Sequence, residues 1–588
     1  MSLNKFERKL KKEYNETFKG KKQKFIFTFK LRHALALLIL LLGIILLTDH
    51  ISVNAYNKKL AKEKENIYNT TETSFIKLEN KNDYKKIVGL KKEKHTILSK
   101  LSFAFAPKYS KGDIEEEAEL AGSNSNAMPK DEMTDSAPES SFENSTNTNV
   151  QVVGIDEADY SKCDGTYIYS AFERNFMIFD LEGNKIIQEN IGTYITGLYV
   201  YENKIIVIGW NSTIFYEFNG TKLTEIKKFE YMIYNDSRLK DNYFYLIFNN
   251  NFNKNEEYED MYYDQVSGAY RVYSIIKFDL TTNEYKEVNN LNSGNVTLYM
   301  SNNHIYLATL IYANTETYYH MTVTSIFDHD LNPIAALRVK GSVLNQFSMD
   351  EYDKYFRIVT TNNKAEKEKL NAISIFDLES KTLVGYLDEG IGLDRQVVKS
   401  VRYDSTTCYV VTYLNTDPLY EIDLTDPTKP TIVSIYQSPG YSNYLHSFKV
   451  NGETYLFGIG YCDDQWSRKI SIYKNNEQTT QIGKDLIITD YYSTSEDVTI
   501  QVNRINNSAF TDHRALFIYL KDDILYLGLK VTPKEYYFFK IDINNEENVI
   551  SVYETIDLKY LDYYSRCYLV NNKIYITDGN ELFIKDVK

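Results

Sequence analysis

Phe376-Asp377-Leu378-Glu379-Ser380-Lys381-Thr382-Leu383-Val384 decides the fold of this chain. A strand-like run closes on a large apolar residue, an Asp follows, and after a few polar residues a second short apolar run begins. The same close recurs at Phe179-Asp180-Leu181, Phe278-Asp279-Leu280, Ile422-Asp423-Leu424 and Ile541-Asp542-Ile543. A carboxylate there can accept hydrogen bonds from turn N–H groups that otherwise have no partner at the end of a strand. Working outward, nine candidate hairpin units fall around 167–181, 205–218, 243–280, 305–327, 356–378, 408–424, 454–473, 525–543 and 574–586. Repetition on this scale predicts an all-β chain whose four-stranded sheets close into a β-propeller. Propellers commonly carry about four to eight blades. Nine units therefore predict about eight blades plus one incomplete unit, with Val150 to Ile155 supplying a missing outer strand. Asn249 to Gly268 reads as a polar insertion looping out on one face.

Composition agrees with strands. Tyr (52) and Phe (30) suit half-buried pleated surfaces, and only nine Pro interrupt 588 residues. Cys163, Cys408, Cys462 and Cys567 are widely spaced and follow no zinc pattern, so they read as small buried hydrophobes rather than a disulfide framework.

The N-terminus is different material. Eleven Lys and Arg crowd residues 1–33, ahead of an uninterrupted apolar run from Ala34 to Leu47. Flanking residues lengthen that run enough for a single transmembrane helix, and basic residues stay on the cytoplasmic side, which predicts N-in and C-out. Val53-Asn54-Ala55 also meets the small-residue rule for signal cleavage, so a product secreted after cleavage at Ala55 is the alternative. The expected domains are a basic cytoplasmic tail (1–33), the anchor or signal segment (34–55), a partly helical juxtamembrane stalk (56–106), a disordered linker (107–148) and the propeller (149–588). The tail carries +8 of a total of −14, leaving −22 for the remainder. That balance argues against a nucleic-acid partner.

A family resemblance becomes specific at Thr148-Asn149-Val150-Gln151-Val152-Val153-Gly154-Ile155-Asp156-Glu157-Ala158-Asp159, followed by Asp164-Gly165-Thr166-Tyr167-Ile168-Tyr169. Asn345 to Glu351, Ser400 to Tyr403, Asp417 to Pro427, Pro439 to His446 and Asp512 to Ala515 continue it in order. Together these runs resemble a bacterial family of secreted or membrane-anchored proteins with a C-terminal β-propeller distantly related to WD40 repeats. The resemblance implies an exported propeller and carries no established activity. Cys163 and Asp394 depart from the family's pattern, which has a small hydroxyl residue and a Glu there.

For chemistry, Asp156, Glu157 and Asp159 form an acidic cluster able to offer oxygen ligands to calcium, or else a solvated turn; no other cofactor is expected. Ser442 with His446, and Asp512 beside His513, suggest a nucleophile, base and orienter, although no Gly-x-Ser-x-Gly elbow surrounds Ser442. Asp350, Glu351, His446, Asp512 and His513 are expected either to converge at one channel mouth as a ligand site or to form interblade hydrogen bonds. The functional expectation is an extracellular binding or scaffold module at the cell surface with a protein or glycan partner. Alternatives are a hydrolase or lyase acting on surface polymer or peptide, and a sensory anchor.

Overall fold

The computed structural model divides into two compact units, Met1–Asn66 with Lys91–Gly122 and Ile67–Leu90 with Ser123–Lys588. It describes residues 5, 7–9, 11, 21–68, 72–73, 75–80, 82–83, 96 and 148–587, the last range without 254–257, 259, 264–270, 293, 314–318, 363–370, 394–395, 414–416, 476–477, 491–498, 506–507, 546 and 559–563. Most of the basic tail, most of the stalk beyond 83, the linker 107–147 and Asp394 thus lie outside the described residues.

A helix runs over Lys21–Tyr68, all but its last two residues in the first unit. Its stretch His33–Lys59, whose most apolar 18 residues have a mean hydropathy of 2.5, is the one helix among the described residues long and apolar enough to cross a membrane. At roughly 1.5 Å per residue it reaches about 40 Å, against about 30 Å of bilayer hydrocarbon. Leu35, Leu37, Leu38, Ile39 and Leu40 are all exposed, so the helix is apolar around its whole circumference.

In the second unit each of the nine hairpins lies in its own sheet, as the middle strands of sheets one to eight and as the last two of three strands in sheet nine. Sheet one is Ser161–Cys163, Tyr167–Phe172, Asn175–Asp180 and Lys185–Asn190. Sheets two to eight begin with the strands Ile195–Tyr201, Ile233–Lys240, Val296–Met300, Met349–Tyr352, Val397–Asp404, Tyr441–Val450 and Phe517–Lys521. Sheet nine has three strands, Arg566–Val570, Lys573–Thr577 and Leu582–Asp586. Second and third strands are apolar on both faces because neighbouring sheets cover both: Ile205, Ile206, Val207 and Ile208 are 0–1% exposed. Outer strands such as Lys185–Asn190 face water and read as polar.

Sheet packs on sheet through aromatic rings. Phe215 of sheet two lies 4.2 Å from Phe278 and 5.5 Å from Phe244 of sheet three, and Tyr306 of sheet four stacks on Phe356 of sheet five at 4.6 Å. Sheet nine closes on sheet one: the Ser170 and Thr577 hydroxyls are 3.0 Å apart, and the Tyr575 hydroxyl donates to Leu181 O. Among the described residues no N-terminal strand completes the three-stranded ninth sheet. Ile155–Glu157 pairs instead with Arg238–Lys240, at the inner edge of sheet three.

Two further expectations change. Part of the insertion after Asn249 is a strand, Met261–Tyr263, parallel to Asn289–Leu291 and paired with Ile76–Leu78. Within the expected stalk, Glu72–Thr73 pairs with Ala336–Leu337 at the outer edge of sheet four. Phe75 sits between these strands, 5.3 Å from Phe327 and 6.1 Å from Tyr262. Open outer edges offer unpaired N–H and C=O groups, and short extended segments satisfy them.

Each sheet is an up-and-down meander, so its turns alternate between the two faces of the ring. Turns between first and second and between third and fourth strands fall on one face, here the Asp-turn face. Turns between second and third strands, with the links joining sheets, fall on the other, the link face. Asp377 Oδ1 accepts from the N–H groups of Glu379 (3.0 Å) and Ser380 (2.9 Å). Asp180 (from Glu182 and Asn184), Asp279 (from Thr281 and Thr282), Asp423 (from Thr425) and Asp542 (from Asn544) accept likewise.

Candidate functional site at the ring axis

Asn149 to Asp159 crosses the centre of the ring. Asn149 Nδ2 donates to the Tyr444 hydroxyl of sheet seven and to His513 O in the link before sheet eight. Gln151 Nε2 donates to Gln346 O and Met349 O, where the chain passes into sheet five. Asp159 exchanges backbone hydrogen bonds with Leu198 of sheet two and receives Arg566 of sheet nine, 2.7 Å from Nε to Oδ1. Only a segment at the axis can reach all of these sheets at once.

The three acidic residues of this segment go to three different partners. Asp156 takes the Lys162 ammonium at 2.5 Å, Asp159 takes Arg566, and Glu157 Oε1 accepts from Gln151 N–H and Gln346 Nε2. Adjacent strand residues point to opposite sides, which separates Asp156 from Glu157. Among the described residues no group of three or more His, Cys, Asp or Glu gathers as a metal-ligand set.

Beside Glu157 lies a cavity of about 370 Å³, lined among others by Asp236, Arg238, Asn345, His513 and Arg514. Its walls come from links and from the first residues of inner strands, so it opens on the link face. Arg238 Nη1 holds Asp236 at 2.7 Å and its Nη2 donates to Gln346 Oε1. Arg514 Nε holds Asp512 Oδ1 at 2.8 Å, and Asp512 Oδ2 accepts from Arg566 Nη2 at 2.7 Å. Burial alone would raise the Glu157 carboxyl, but the Arg238 charge, the adjacent His513 imidazole and the Arg514 charge together outweigh it and bring it down to about 2. Burial lowers His513 despite the neighbouring Glu157, so the imidazole is neutral at neutral pH. Its Nε2 lies 3.3 Å from Glu157 Oε2, outside hydrogen-bond alignment, and is left unsatisfied.

Asp512 and His513 thus line one cavity with Glu157, while the other expected site residues go elsewhere. Glu351 belongs to the Asp-turn face: it accepts from the hydroxyls of Ser301 and Tyr306, both at 2.5 Å, and its Oε2 is 3.0 Å from His304 Nδ1. A separate hollow of about 330 Å³ lies there, lined by Glu351 with Ser301, Asn303 and Tyr352. Asp350 pairs with Arg357, Nε to Oδ2 at 2.8 Å. His446 is buried, stacks on Phe457 at 5.0 Å and keeps its Nδ1 2.8 Å from the Tyr444 hydroxyl; burial and Arg402 hold it neutral. Ser442 is four positions from His446 on one strand, roughly 13 Å along it, so the two cannot form a nucleophile–base pair. The five residues are therefore split between two faces and a buried position.

Arg238, Arg514, Gln346 and Arg566 complete the axial network, and sequence reasoning did not select them. A signal existed: Arg238 and Arg566 are charges in otherwise strand-forming runs, costly unless paired. The tryptophans carry another. The chain has only two, Trp210 and Trp466, each in a turn between second and third strands, 58% and 76% exposed, and so both on the link face.

Similarity to known proteins follows the ring. An uncharacterised protein of Methanocaldococcus jannaschii is 27% identical over 541 residues, covering 75% of this chain and 81% of that protein. One of Archaeoglobus fulgidus is 34% identical over 156 residues, covering 26% of this chain and 23% of its own. These relatives are archaeal, where the sequence resemblance suggested bacterial ones. Among solved structures, apo AztD from Citrobacter koseri aligns at 11% identity with a TM-score of 0.37, covering 69% of this chain and 95% of that one. BamB from Moraxella catarrhalis aligns at 9% and 0.29, covering 53% and 82%. Alignments this loose add nothing to the strand ladders, which already define the ring. The Beta propeller domain family matches residues 145–259 and 224–588, the span of the axial segment and all nine sheets, and the chain belongs to that family.

Proposed function

We propose that this chain is a membrane-anchored binding or scaffold module that presents its ring outside the cytoplasm and engages an extracellular protein or glycan with the link face. The observation that carries this reading is that the axial cavity and both exposed tryptophans share that face. Leaving an indole in water forgoes roughly 1.5–3 kcal/mol of burial, and a partner that covers both would recover it. The −22 of the chain beyond residue 33 disfavours nucleic acid and anionic lipid as that partner. The apolar helix supports a single pass, with the basic residues ahead of it favouring N-in.

Intact cells treated with a membrane-impermeant amine label test the orientation. Ring lysines become labelled if the reading holds; labelling only after lysis overturns it. N-terminal sequencing separates the anchored chain from a product cut after Ala55. Binding is tested by co-sedimentation with purified cell envelopes. The Trp210→Ala/Trp466→Ala chain should stay in solution while melting as the wild type does, and unchanged co-sedimentation would remove the link face from the proposal.

A further inference from the structure

We propose that the axial cavity takes an uncharged sugar residue; this rests on reading the chain as a binding module and names the ligand class of that same site. The first argument is charge. Each charged group lining the cavity already has an opposite partner: Asp236 and Glu157 face Arg238, and Asp512 is shared by Arg514 and Arg566. A charged ligand would have to compete with an existing pair for its counter-charge, and its desolvation would go largely unbalanced.

The second argument is polarity. The lining is nevertheless polar, with the amides of Asn235 and Asn345 and the hydroxyls of Thr196 and Thr297 added to the ion pairs, and the Tyr234 ring at one side. Walls mixing donors and acceptors around one aromatic ring match hydroxyl groups, each of which donates and accepts, on a ring with an apolar face. The third is an unsatisfied atom. His513 is 6% exposed and its Nε2 has no hydrogen-bond partner, a cost that a ligand hydroxyl in the cavity would relieve. A volume of about 370 Å³ is in the range of small-molecule sites and admits one or two sugar units. Trp210 and Trp466 on the same face offer stacking surfaces for further units of a chain.

The full chain in detergent is titrated calorimetrically with millimolar neutral hexoses, N-acetylhexosamines and their short oligomers, with lysine and glutamate as charged counterparts. Saturable binding of a neutral sugar is expected, and neither amino acid should bind. Thr297→Phe fills the cavity. Asn345→Asp keeps the oxygen that accepts from Phe347 N–H but replaces the amide donor with a charge. Both should weaken sugar binding by about tenfold or more; Thr297→Phe should leave the melting temperature within a degree or two of wild type, and Asn345→Asp, which adds a buried carboxylate, should lower it while the chain stays folded. Absence of saturable binding by every neutral sugar, binding of lysine or glutamate instead, or sugar affinity unchanged in both folded variants would each overturn the assignment. Envelope co-sedimentation that survives Thr297→Phe and excess free sugar, yet is lost with the two tryptophans, would refute the sugar site and leave the binding-module reading standing.

Discussion

Glu157 shows how a single carboxylate organises the axis. Its folded pKa of about 2 lies below its ordinary 4.5, so it contributes stability that is complete above about pH 4.5 and lost as pH falls toward 2. Glu157→Gln is therefore expected to cost about 2–4 kcal/mol at neutral pH, because it removes a buried carboxylate that Arg238 and Arg514 hold ionised, and the gap to wild type should close in acid. Urea unfolding at pH 7 and pH 3 checks this; a gap independent of pH would contradict it. Gly197 is the other decisive residue. A Cβ there would lie 2.8 Å from Ala158 Cβ and 3.3 Å from its backbone, so only glycine lets the axial segment settle on sheet two. Gly197→Ala should cost about 1–3 kcal/mol, and adding Ala158→Gly should recover part of it in a double-mutant cycle.

At the scale of elements, the Asp-ended turn does what its sequence suggests, and the structure extends it. Asp328 in Phe327-Asp328-His329 caps sheet four in the same way, accepting from Asp330 and Asn332 N–H groups, although no apolar residue follows to mark it. Asp377 adds a charge partner: the Lys354 ammonium and the Ser380 N–H bring its carboxyl down to about 2. Asp377→Ala should cost about 1 kcal/mol, mostly from unpaired turn N–H groups, and Asp377→Asn appreciably less. Chemical denaturation of the two variants separates the turn bonds from the exposed ion pair. The rim segment 72–78 is an element that periodicity could not show, since five described residues in two short strands carry no pattern of their own. Its place depends on the outer edges of sheets three and four.

For the whole molecule, closure links sheets nine and one both at the rim and at the axis. Arg566 is 2% exposed and holds Asp159 and Asp512 together. Arg566→Ala leaves two buried carboxylates short of their cation and should destabilise the ring by about 3–5 kcal/mol. A chain ending before residue 563 loses sheet nine altogether. Hydrogen exchange should then quicken first in sheets one and eight, which flank the gap; protection equal to that of the full chain would mean that closure contributes nothing.

The all-β class, the nine hairpins, the Asp-ended turns and the long apolar segment were legible in the sequence because each depends on neighbours within about ten residues: strand periodicity, turn chemistry and hydropathy. The number of sheets in the ring was not, because closure depends on how sheet nine meets sheet one, some 400 residues away along the chain. The same holds for the site. Asp512 and His513 could be singled out as polar residues in strand surroundings and Glu157 as part of an acidic cluster, yet which of the selected residues share a face depends on where each falls along its strand or link. Glu351 falls at the turn end of a first strand, on the Asp-turn face, and His513 in the link before sheet eight, on the link face. The axial route of residues 149–159 brought Glu157 to His513, a contact that only the folded ring creates.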